Sequence, residues 1–148
     1  MVNKDYDRMV TDRIKSYHGQ IISRNETDQL GASLIDLNGF AFLQFTILTK
    51  STVKTIKGGT VKMTSNNQTL EIPTDTEEIE SDFSHEMNIG ILDFDIDLED
   101  EVVDFFNQNE VTSLKFAFEK IDFEFSTVND AILKKILKGE FEPSYEEE

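Results

Sequence analysis

The chain has 148 residues, the length of one domain, and a chain of that size buries roughly 70% of its extended surface without staples. It has no cysteine, which excludes a disulfide framework, a thiolate metal site and a cysteine nucleophile. Its net charge of −16 argues against nucleic acid and anionic membrane surfaces as partners, because both are gripped by clustered Lys and Arg.

The first residues, Met1 to Asp7, hold no apolar signal-peptide core, and no stretch approaches the ~18 apolar residues of a bilayer span. A cytoplasmic protein is the expectation, provided no targeting segment has been trimmed. From Asp5 to Tyr17, Tyr6, Met9, Val10, Ile14 and Tyr17 recur at three- and four-residue steps, which predicts a helix stopped by His18-Gly19. Gln20 to Gln29 is polar apart from Ile21 and Ile22 and reads as a connector.

From Leu30 the period becomes two. Asn38-Gly39 predicts a two-residue hairpin turn that sets Leu37 opposite Phe40 and Ile35 opposite Phe42. Asn66-Asn67 does the same for Met63 with Leu70 and Val61 with Ile72. At Glu119-Lys120, register alone pairs Phe118 with Ile121, Phe116 with Phe123 and Leu114 with Phe125. Glu-Lys is poor turn chemistry, and one long bulged strand is the alternative. Gly58-Gly59 is a further turn candidate, between a strand near 53–57 and one from Thr60. The near-continuous apolar run from Phe40 to Leu48 suits a central strand covered on both faces, or one that crosses from one packing layer to another.

Residues 73–86 carry Asp75, Glu77, Glu78, Glu80, Asp82 and Glu86 with few apolar anchors, which predicts a long loop, either mobile or functional. An alternating strand follows from Ile89 to Asp97, then a helix from Leu98 to Gln108 with Asp97 as N-cap and Leu98, Val102, Phe105 and Phe106 as its buried stripe. The last helix starts at Ser126 or Thr127, with Asp130 completing a box-like start, and ends at Gly139. These elements predict one α+β domain over 1–139 and an acidic, disordered tail over 140–148. Its antiparallel sheet has about seven to eight strands, strongly curved or split into two layers. A helix stands at each end and one is inserted before the last hairpin.

Four features raise a question of chemistry. Asp93, Asp95, Asp97, Glu99, Glu101 and Asp104 alternate as calcium-loop oxygens do. The sixth position is Leu98 rather than glycine, and the last is Asp104 rather than glutamate, so a strand with an acidic outer face explains the row better. At most it offers a weak, open cation site. His18 and His85 are the only histidines, and neither has a nucleophile signature nearby, so no catalytic residue is assigned. A carboxylate of Asp82 or Glu86 is placed to orient His85. Lys57-Gly58-Gly59-Thr60 lacks phosphate-loop spacing. Twelve phenylalanines, mostly at strand spacing, predict either a solid core or the lining of an apolar cavity.

No cofactor is implied. Residues 1–70 carry 9 Lys/Arg and 6 Asp/Glu, whereas residues 71–148 carry 5 and 24. That split, with the missing catalytic signature, favours a non-catalytic interaction protein whose acidic half meets a basic protein partner or the basic half of a second copy, giving a homo-oligomer. The alternative is a carrier of small apolar ligands, or an unrecognised enzyme, with a cavity inside the sheet.

Overall fold

A computed structural model describes residues 3–141. Of the tail predicted over 140–148, residues 142–148 lie outside the described residues; Phe141, within it, is not loose but packs against the core. The elements run α1 (Lys4–Lys15), β1 (Gln20–Arg24), β2 (Gln29–Leu37), β3 (Phe40–Thr49), β4 (Lys54–Thr55), β5 (Thr60–Thr64), β6 (Thr69–Pro73), β7 (Ile79–Glu80), β8 (Asp82–Ser84), β9 (Ile89–Asp97), α2 (Asp100–Gln108), β10 (Ser113–Ala117), β11 (Asp122–Phe125) and α3 (Asp130–Leu137). The strands form a five-stranded sheet, β1-β2-β3-β9-β8, a four-stranded sheet, β11-β10-β5-β6, and the pair β4-β7. Every pairing among them is antiparallel. The fold is therefore α+β, with more and shorter strands than expected. Among the described residues, no helix is long and apolar enough to cross a membrane.

The two larger sheets meet across one hydrophobic core. Leu43, Phe45 and Ile47 of β3 stand opposite Ile96, Phe94 and Leu92 of β9, and all six are buried. From the other sheet, Val61, Met63, Leu114, Phe116, Phe123 and Phe125 point into the same core. Phe116 makes edge contacts with Phe45 at 5.0 Å and with Phe94 at 5.1 Å between ring centres, the geometry aromatic quadrupoles favour. Phe118 adds an edge contact to Phe94 at 5.2 Å. The phenylalanines thus fill the space between the sheets. Helices α2 and α3 add Val102, Phe105, Phe106, Leu133 and Ile136 to this core.

All three turn registers read from the sequence are present: Leu37 pairs with Phe40, Met63 with Leu70 and Phe116 with Phe123. Asn38 and Gly39 both take positive φ, as the tight turn requires. Four expectations are corrected. Residues 20–24 form a strand, whose alternation is hidden by a bulge between Ile21 and Ser23. Gly58-Gly59 does not close a hairpin, because β4 pairs with β7, and Gly58 instead donates its N–H to the Glu77 carbonyl. The charged segment 73–86 contains β7 and β8, and the Thr74 hydroxyl and Asp75 N–H tie its start to the sheets. The helix starts also shift. Glu99 occupies the N-cap of α2 without a side-chain cap bond, and Asn129 caps α3 by accepting from the Ile132 N–H.

Helix α1 lies on the outer face of the five-stranded sheet, where Val10 and Ile14 pack on Ile91. Beyond its end, the Tyr17 phenol occupies the space that a Cβ at Gly19 or Gly31 would need, so the ring rests directly on β2 backbone. The helix leaves the far end of that face bare. Phe40 is 71% exposed and Leu37 56%, against the expectation that β3 is covered on both sides.

Phe116→Ala is expected to cost about 3–5 kcal/mol in urea unfolding, as removal of a fully buried ring does. Phe40→Ala, at the bare end, should stay within about 0.5 kcal/mol of the parent.

Candidate functional site

Two polar assemblies stand out, and they differ in kind. The first is fully paired. Arg13 of α1 donates to Asp82 at 2.8 Å and to Asp93 at 2.5 Å, and the Thr46 hydroxyl donates to Asp93 at 2.6 Å. Tyr6 donates to Asp82, which pushes its phenol up to about 12. Asp7 accepts from the backbone N–H groups of His85 and Glu86 at 2.5 and 3.2 Å and bonds the His85 ring at 3.1 Å. The backbone bond from His85 is the main reason the Asp7 carboxyl is held below its usual range. So His85 is oriented by Asp7, not by Asp82 or Glu86, and packs edge-on to Phe83. This assembly fastens α1 to the β8–β9 hairpin, and its donors and acceptors are spent on each other.

The second assembly is unpaired. An open cleft of about 300 Å³ runs between β6 and the β9–α2 junction. Its walls carry Glu71, Asp75, Asp97, Glu99 and Glu101, and Ile72 and Val102 give it an apolar floor. Strand alternation puts Asp93, Asp95 and Asp97 on the outer face of β9, while Phe94 and Ile96 go inward. The Asp75 N–H bonds the Asp95 carbonyl at 2.8 Å, which draws the two acids together. Glu99 stands at the helix N-cap but leaves its carboxylate unused there. Among the described residues, none of Glu71, Asp75, Asp95, Asp97, Glu99 and Glu101 has an ion-pair partner.

The electrostatic consequence is repulsion. Burial first, then the Asp75 and Asp93 charges, raise the Asp95 carboxyl above its ordinary value. Burial and Asp75 do the same to Asp97. One oxygen of Asp95, Oδ1, is buried without a hydrogen-bond partner among the described residues. The predicted cation row divides: Asp93 is taken by Arg13 and Thr46, Asp97, Glu99 and Glu101 line the cleft, and Asp104 is exposed on α2. No three His, Asp or Glu side chains among the described residues converge in a way that could hold a metal ion. Glu71 was not singled out from the sequence, and Asp75 was named only as one acid of the 73–86 segment, because they reach the cleft from the other sheet and the loop after it.

Comparison with known proteins gives no guide to identity: no family model matches the chain, and neither does any curated protein or solved structure.

The two assemblies respond oppositely to acid. Asp7, with a lowered folded-state value, stabilises the protein above the ordinary carboxylate range, and that contribution is lost as pH falls through its folded value. Asp95, with a raised value, costs stability once ionised, and the cost is complete only above its folded value. Asp95→Asn should therefore raise Tm at neutral pH, with the gain vanishing below the ordinary carboxylate range. Asp7→Asn should lower Tm at neutral pH and flatten the acid side of the stability profile.

Proposed function

We propose that this chain is a non-catalytic interaction protein whose acidic cleft receives a basic segment of a partner protein. The observation that carries the proposal is the cleft itself: carboxylates from two sheets and a helix start face one another with no cation of the described residues between them. Holding like charges side by side around an open cleft raises the energy of the free state, and a Lys or Arg between them lowers it. A cationic side chain would also meet the unpartnered Asp95 oxygen's neighbours, Asp75 and Asp97. The interlocked phenylalanines weigh against the carrier reading, which needs an apolar cavity between the sheets. The proposal makes no use of the His85–Asp7 pair, which is engaged in holding α1.

The test uses poly-lysine as the basic probe, with binding measured by calorimetry from low to moderate salt. Affinity is expected to fall as salt screens the cleft. Replacing Glu71, Glu99 and Glu101 together by Gln should weaken binding by about tenfold, equivalent to ~1.4 kcal/mol. Replacing Glu110, Glu119 and Glu124 by Gln removes the same charge elsewhere and should do much less. Equal losses in the two triple variants would show that poly-lysine reads only the overall charge, and would overturn the cleft as the site.

A further inference from the structure

The bare end of the five-stranded sheet adds chemistry that a polycation alone would not use. Ile35 and Leu37 of β2 stand opposite Phe42 and Phe40 of β3 on the outer face. Leu37 and Phe40 are exposed, and Ile35 and Phe42 are half-buried. Four apolar side chains in one column are what period-two alternation produces where a face is meant to be covered. Helix α1 covers that face only as far as Thr46 and Asp93, where Arg13 and Tyr17 end its reach. The next column over is acidic. Phe42 pairs directly with Asp97, and Gln44 with Asp95, so the two columns run side by side on one face, one strand spacing apart. Asp97 also lines the cleft, which makes the apolar column and the acidic cleft one continuous surface.

We infer that the outer face of the β2–β3 hairpin is a docking surface for an amphipathic basic segment of another protein. The apolar side chains of that segment cover Ile35, Leu37, Phe40 and Phe42 while its Lys or Arg side chains reach the β9 acids and the cleft. The inference deepens the reading of the cleft and rests on it for the charge of the partner. Charge complementarity selects this occupant over a second copy. A two-fold contact through this face would bring two copies of the acidic Asp95 and Asp97 column into one interface, in chains that each carry a net charge of −16. A neutral apolar segment would leave those carboxylates covered and unpaired, which is costly. A mixed basic and apolar segment satisfies both columns.

The experiment compares two probes on three proteins: poly-lysine and a short peptide of alternating lysine and leucine, on the parent, on Leu37→Ser/Phe40→Ser, and on Ile56→Ser. Leu37, Phe40 and Ile56 are all exposed, so the variants should fold, and unfolding curves check that they do. The alternating peptide is expected to bind the parent more tightly than poly-lysine does and to keep part of its affinity at moderate salt. The double variant should lose about tenfold for the alternating peptide, as removal of apolar anchors does, and nothing for poly-lysine. Ile56→Ser, away from the hairpin, should change neither. Equal affinity of parent and double variant for the alternating peptide would overturn the hairpin inference, whichever way the poly-lysine arm falls. Failure of poly-lysine to bind the parent would overturn the cleft reading instead. Sedimentation closes the remaining route: a dimer of the parent that the double variant abolishes would make the occupant a second copy and refute a foreign segment.

Discussion

The edge-on packing of Phe116 against Phe45 and Phe94 is the contact that joins the two sheets. The Phe118–Phe94 edge contact joins them beside it. The five-stranded sheet presents Leu43, Phe45, Leu92, Phe94 and Ile96 on one side, and the four-stranded sheet presents Val61, Met63, Leu114 and Phe125 back to them. A sheet with one apolar face has to bury it, and here each sheet is the other's cover. The rings meet at tilted and T-shaped angles, so the layer interlocks instead of sliding. Everything polar in the molecule is arranged around that layer, including the carboxylates of β9, which face outward because Phe94 and Ile96 face inward.

The acidic side chains have two fates. Where a cation or a row of backbone amides is at hand, they become fasteners: Asp82 and Asp93 hold Arg13, and Asp7 closes on the amides of His85 and Glu86. Where neither is at hand, at the β6–β9–α2 junction, they are left to repel one another, and burial sharpens the effect at Asp95. Surface ion pairs contribute little to stability on their own. The two groups therefore differ first in pairing: one is engaged in holding α1, and the other has no ion-pair partner among the described residues.

The sequence made the turns legible because turn chemistry and apolar pairing had to agree, and at Asn38-Gly39 and Asn66-Asn67 they did. It hid β1 because only Ile21 and Ile22 are apolar there and the bulge beside them breaks the alternation. It hid β7 and β8 because strands of two or three residues leave no period to count, and although β4 falls within the strand read near 53–57, its partner β7 could not be seen. The acids of β9 and α2 could be named from their spacing, but the cleft could not, since Glu71 and Asp75 join them only through tertiary packing. Leu37 and Phe40 carry a complementary lesson. Alternation sorts residues between the faces of a sheet correctly, yet it says nothing about which stretch of a face is roofed.

The clasp of Asp7 on the His85–Glu86 turn has a temporal side. Its two halves lie 78 and 79 residues apart, and the ribosome delivers them in order, at roughly 5–20 residues per second. Helix α1 emerges before that hairpin and is too short to persist alone. It must wait several seconds, unanchored, until the β8–β9 hairpin has left the exit tunnel. A segment made before the hairpin is thus secured only after it, and during that interval β3 has no β9 beside it.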